Sequence, residues 1–163
     1  ETTEGVIYAV GEHIGGQALF IMDGKLRYSY STLGLYWHDF DGDVSIPHGD
    51  VKITLKHTMK ELRLNGPSTV EFFINDKKVE EMDITATVYA AYTGHETFDI
   101  GRDEGLPVNE DYADQGKFKF TEGQLHKVVF DIKNPDDQQN ENQQVLPGRI
   151  LVHSWAQPLM TIR

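Results

Sequence analysis

At 163 residues, with 26 acidic against 15 basic side chains and a formal net charge of −11, the chain holds one acidic domain's worth of sequence, enough to bury roughly two-thirds of its surface. The charge excludes nucleic acid, whose phosphates need clustered cations, and an anionic membrane, which would repel this surface. The lack of cysteine excludes disulfides, zinc–thiolate centres and thiol nucleophiles while leaving the compartment unknown.

Alternation of apolar and polar residues dominates the chain from its start, and it places every second side chain on one face of a sheet. "GVIYAVG" at 5–11 reads as a first strand. "QALFIMDGKLRYSYS" at 17–31 is two β-rich runs joined by Asp23-Gly24, a pair that tolerates the positive φ of a tight hairpin. "DVKITLKH" at 50–57 alternates Val51, Ile53 and Leu55 with Lys52, Thr54 and Lys56. "TVEFFINDKKVEEMDI" at 69–84 repeats the hairpin theme around Asn75-Asp76, and "QLHKVVFDIK" at 124–133 is a last clear strand. Short strands at regular spacing, with no helical period between them, predict an all-β fold: an antiparallel β-sandwich over residues 1–133. The polar run "NPDDQQNENQQ" at 134–144 reads as a linker or loop, and 145–163 as a C-terminal strand or arm, with "RILVHSWA" as the strand candidate. No apolar run is long enough to span a bilayer and no signal peptide is visible; the start at Glu1 without methionine suggests a fragment of a longer protein.

The chemistry of a hydrolase is missing. The seven histidines, His13, His38, His48, His57, His95, His126 and His153, form no ligand pair at short spacing. There is no nucleophile elbow and no phosphate-cradling glycine loop. The chain alone is expected not to be an enzyme.

Three stretches carry the candidate sites. In "HETFDIGRDEGLPVNEDY" at 95–112, Asp99, Asp103 and Asp111 supply the hard oxygen ligands that calcium takes. The spacing departs from the EF-hand template. The competing reading has Asp99 and Asp103 accept backbone N–H bonds in consecutive turns whose positive-φ positions are Gly101 and Gly105; a docking surface is the third. In "DFDGDVSIPHGD", Asp39, Asp41, Asp43 and Asp50 fall at calcium-loop positions but Gly42 does not, and a hairpin turn at Asp41-Gly42 is the simpler reading. In "LYWHDF", Tyr36, Trp37 and Phe40 can form a sugar-stacking platform, with Tyr36 and Trp37 as the ligand-binding candidates; at strand spacing Tyr36, His38 and Phe40 share one face and Trp37 the other, and one of those faces is expected to serve the core.

Three motifs also carry a resemblance. "GGQALFIMDGKLRYSYSTLG" at 15–34, "TVEFFINDKKV" at 69–79 and "ETFDIGRDEGLPVNEDY" at 96–112, in that order and spacing, resemble the carboxy-terminal region of large bacterial arylsulfatases. The resemblance covers about residues 5–133, and the third motif is its most specific part. It implies a jelly-roll module of the concanavalin/laminin-G type that follows an alkaline-phosphatase-like catalytic domain. Sulfatases make their formylglycine nucleophile from the Cys or Ser of a [CS]-x-P-x-R motif. The nearest stretch here, "SIPHG", keeps Ser45 and Pro47 but has Gly49 for the arginine. The resemblance therefore transfers no catalytic residue and no cofactor of its own. It implies a non-catalytic accessory domain whose partner is the catalytic sulfatase domain of the same chain, in a periplasmic or extracellular parent protein. The alternative function is a carbohydrate-binding module that carries the parent enzyme to a sulfated glycan.

Overall fold

The structure, a computed structural model, describes residues 3–88, 92 and 97–132, and the backbone of 158–162. The strands are β1 (Gly5–Glu12), β2 (Gly15–Met22), β3 (Lys25–Thr32), β4 (Tyr36–Phe40), β5 (Ile53–Met59), β6 (Ser68–Ile74), β7 (Lys77–Ile84), β8 (Phe98–Ile100), β9 (Val128–Ile132) and β10 (Pro158–Ile162). They form two five-stranded antiparallel sheets, ordered β4-β3-β2-β1-β8 and β7-β6-β5-β10-β9. The only helical element among the described residues is a single 3-10 stretch, Glu110–Gln115. No described helix is long and apolar enough to cross a membrane.

Both predicted hairpins form where the turn residues tolerate left-handed backbone. Asp23 and Gly24 hold φ of 52° and 70°, Asn75 and Asp76 φ of 49° and 65°, the mirror-image geometry that matches strand twist. β5 begins at Ile53 rather than Asp50 because Lys52 is engaged by the β6–β7 turn. Its N–H donates to Asn75 Oδ1 at 3.0 Å, and its carbonyl accepts from Asn75 N at 2.8 Å. The linker region 134–144 and the "RILVHSWA" stretch lie outside the described residues. The C-terminal strand β10 is inserted between β5 and β9.

The main core lies between the sheets and draws on both: Ile7, Leu19, Ile21, Leu26, Tyr28 and Phe40 from one, Ile53, Leu55, Val70 and Phe72 from the other. A second cluster covers the opposite face of the first sheet, where Val108, Tyr112 and Phe118 pack on Val6, Ala9, Ala18 and Phe20. Phe20 meets Tyr112 and Phe118 edge-on at ring distances of 5.0 and 6.3 Å. The first sheet is thus buried on both faces. That is why "VIYAV" and "ALFI" are continuous apolar runs while β6, buried on alternate residues, keeps a strict alternation. The inner core is not wholly apolar. Gln17 accepts from the hydroxyls of Tyr8 at 2.9 Å and Tyr28 at 2.8 Å and donates to that of Tyr92 at 2.6 Å, which gives each of these buried side chains a hydrogen-bond partner.

Candidate functional site

The acidic stretch after β8 is built as a chain of side-chain-closed turns. Asp99 Oδ2 accepts the Glu104 N–H at 3.0 Å and the Thr97 hydroxyl at 2.9 Å. Asp103, 3% exposed, accepts the Val108 N–H at 3.2 Å and the Tyr112 hydroxyl at 2.8 Å through Oδ2. Burial first, and the Asp103 carboxylate next, push the Tyr112 phenol well above its ordinary pKa. Asn109 caps the 3-10 stretch by accepting the Asp111 N–H at 2.7 Å, and Asp111 itself points to solvent. Of the two glycines expected at positive φ, Gly101 holds φ of 75° and Gly105 does not adopt such a conformation. Gly101 bends because its N–H donates to Ile7 O at 3.0 Å while its carbonyl accepts from Phe120 N at 2.9 Å, tying the segment to β1 on one side and to residue 120 on the other. Asp99 and Asp103 each close a turn of their own, and among the described residues no three His, Asp or Glu side chains are grouped as ligands for an ion.

The second acidic stretch is not a hairpin. Tyr28 pairs with Phe40 and Lys25 bridges to Ser45, so the four residues 41–44 run opposite two of β3, Leu26 and Arg27. The N–H of Leu26 donates to Val44 O at 2.9 Å and that of Ile46 to Gly24 O at 3.0 Å. The chain therefore keeps its direction beside β3 and bulges at Asp41–Asp43, with no left-handed residue at Gly42 to reverse it. The bulge turns its acids onto cations: Asp41 meets Arg27 and Asp43 meets Lys25, each at 2.6 Å. Asp39 accepts from Ser29, which in turn accepts from Asn109 Nδ2 at 2.6 Å. Burial, ahead of the neighbouring groups, raises the Asp39 carboxyl above its usual range.

"LYWHDF" divides along its length. Phe40 is buried and stacks on Phe72 at 4.6 Å and 16°. Towards the other end β4 runs past the core, leaving Tyr36 54% and Trp37 50% exposed. They pair with Thr32 and Ser31 and project to opposite faces of this edge strand, so they do not share one platform. Further apolar residues are exposed beside this stretch, which the reading of "LYWHDF" alone misses. The β3–β4 turn exposes Leu33 and Leu35, and the β1–β2 turn exposes Ile14. The two tips touch: a side chain at Gly34 would lie within 3.3 Å of Ile14, and Ser31 Oγ donates to His13 O. The signal for it was in the sequence, as apolar residues in turns whose neighbours call for polar ones. Leu33 also holds φ of 53°, a backbone conformation that costs a branched, non-glycine residue.

At the opposite end of β2 a cleft of about 420 Å³ opens between the sheets. Ile46, Val51, Phe120 and Leu125 line it partway down, and His48, Asp50, Glu122 and His126 stand at its rim. "SIPHG" thus forms one lip of this cleft. The chain matches no family model, and no curated protein and no solved structure is significantly similar to it.

Proposed function

We propose that the chain is a non-catalytic accessory domain of an arylsulfatase-like sulfuric ester hydrolase, a jelly roll of the concanavalin/laminin-G type that packs on the catalytic domain of the same chain and shapes its entrance. The observation that carries this reading is Leu33. An exposed leucine in a left-handed turn breaks two local rules at once, and it lies beside exposed Ile14, Leu35 and Tyr36. Residues that violate local preference without serving their own core are expected at functional surfaces. Contiguous apolar exposure of this kind marks an interface between proteins or domains. The motif that resembles the sulfatase region most specifically supports an accessory role, because Asp99, Asp103 and Tyr112 use their polar atoms to close turns over the first sheet.

The alternative, a glycan-binding module, draws on the exposure of Tyr36 and Trp37, but their opposite orientation on one strand gives a sugar ring no common stacking plane. The test uses the full-length protein. Leu33→Asn with Leu35→Ser should separate one calorimetric transition into two and expose the junction before Glu1 to protease. The chain alone should not hydrolyse an aryl sulfate, and Ser45→Ala should change nothing. An upstream sequence with no [CS]-x-P-x-R hydrolase domain, or a double variant that melts and cleaves like the wild type, would overturn the proposal.

A further inference from the structure

The cleft at the far end of β2 is separate from the tip surface and does not depend on its role. It has apolar walls from the 46–51 segment on one side and 120–125 on the other. Its floor is Ile7 and Ile21 of one sheet and Ile53 of the other. The rim is acidic. Some carboxylates elsewhere on the surface are paired, Asp41 with Arg27, Asp43 with Lys25, Asp76 with Lys52 and Asp83 with Lys60, while others, such as Glu80, Glu110 and Asp114, make no ion pair among the described residues. Asp50 and Glu122 make no ion pair among the described residues. The side chains of His48, Gln124 and His126 have no hydrogen-bond partner there either. Among the described residues no Lys or Arg lines the cleft. Lys25 and Lys52, which adjoin the lining residues Gly24 and Val51, are drawn to Asp43 and Asp76 at 2.6 Å each. Glu122 sits at φ of 56°, an uncommon conformation for a non-glycine residue at a cleft wall.

We infer that this cleft binds a small amine with an apolar body, the body lying between the sheets and the ammonium held at the rim by Asp50 and Glu122. An apolar slot with a few convergent polar groups is the ordinary form of a small-molecule site, and the volume falls in the range of about 300–1,000 Å³ for such sites. Rim carboxylates with no cation beside them among the described lining residues favour positive charge. The net charge of −11 raises the local concentration of cations around the whole chain. The imidazoles of His48 and His126 and the amide of Gln124 add directional acceptors for ammonium protons.

The experiment titrates the isotope-labelled chain with benzylamine, benzyl alcohol and benzoate and follows amide resonances. Benzylamine should give saturating shifts at Gly49, Val51, Glu122 and Leu125, benzyl alcohol should bind about fivefold more weakly, and benzoate should give none. Asp50→Asn with Glu122→Gln, both at exposed positions, should reduce benzylamine to the affinity of the alcohol, and Ile46→Trp should block all three probes. Leu33→Asn should leave the titration unchanged, which separates this site from the tip. Benzoate binding as tightly as the amine, saturation confined to residues outside the cleft, no saturation at all, or full affinity in the double variant would each overturn the inference.

Discussion

Two turns close β3, one at each end, and they have nearly the same backbone. At the β2–β3 turn Asp23 and Gly24 hold φ of 52° and 70°; at the β3–β4 turn Leu33 and Gly34 hold 53° and 62°. The side chains differ completely. Asp23 is a residue the conformation favours, and its N–H donates to Glu4 Oε1 at 3.2 Å. Leu33 is one the conformation penalises, and it is 56% exposed with no core to repay the strain. Equal geometry with unequal chemistry teaches that the first turn follows local preference and the second departs from it. The comparison extends along the acidic stretch, where Asp103 does for the outer layer what Asp23 does for the hairpin.

The comparison would be broken most severely at Asp103. Asp103→Ala removes the acceptor for the buried Val108 N–H and the Tyr112 hydroxyl. Each orphaned group costs about 1–3 kcal/mol, so the melt should fall by the equivalent of about 2–6 kcal/mol. No exposed tip residue should approach that. The same melt carries a cation control. Calcium or chelator should leave the wild type unchanged, since Asp99 and Asp103 already have protein donors. A rise of several degrees with calcium, lost in Asp99→Asn and Asp103→Asn, would make this segment a metal site.

Acid gives the next largest effect and acts between the two turns. His57 of β5 is buried edge-on against Tyr30 of β3 at 5.8 Å, with its Nε2 2.6 Å from Ser68 Oγ. Burial lowers its pKa from 6.5 to about 4. The unfolded chain then binds the proton more readily than the folded one. Stability is complete above pH 6.5 and is lost as pH falls towards 4, by up to about 3 kcal/mol. Asp39, raised by burial, contributes the opposite sign, so the measurement is the difference between the wild-type and His57→Gln pH profiles of unfolding free energy. A difference flat across that window would refute the assignment.

The sheets were legible in the sequence because β5, β6 and the two polar hairpin turns obey local rules. Period-2 burial and Asp-Gly or Asn-Asp turns are written into neighbouring residues. Less legible were features set by distant contacts. β8 is three residues long and exists because Phe98 to Ile100 pair with Val10 to Tyr8. The 3-10 stretch follows from Asn109 capping and from Tyr112 reaching into the second cluster. Asp41-Gly42 looks like a hairpin turn until the bridge of Lys25 to Ser45 shows the strand continuing. Of the candidate surface, Tyr36 and Trp37 were readable as aromatics, but their place on an edge strand was not. Their union with Ile14 required knowing that two turns far apart in sequence meet. The cleft required both sheets.

The smallest expected effect is the most discriminating, because it has an unusual sign. Leu33→Asn should stabilise the isolated chain. Asparagine populates the left-handed region more readily than a branched apolar residue, and at φ of 53° the substitution relieves strain without emptying any core, for a gain of about 0.5–1 kcal/mol. The reciprocal change, Asp23→Leu, places the same misfit at the other end of β3 and should cost a similar amount, about 0.5–1 kcal/mol. Denaturant melts of the two variants, compared at unchanged m-value, measure both. If Leu33 serves a contact outside this domain, the stabilised variant should lose that contact in the full-length protein, so that stability and docking move in opposite directions. A destabilised Leu33→Asn would show instead that the leucine is held by its own fold, through Ile14 or Tyr36. The difference between the two turns would then be one of packing and not of purpose.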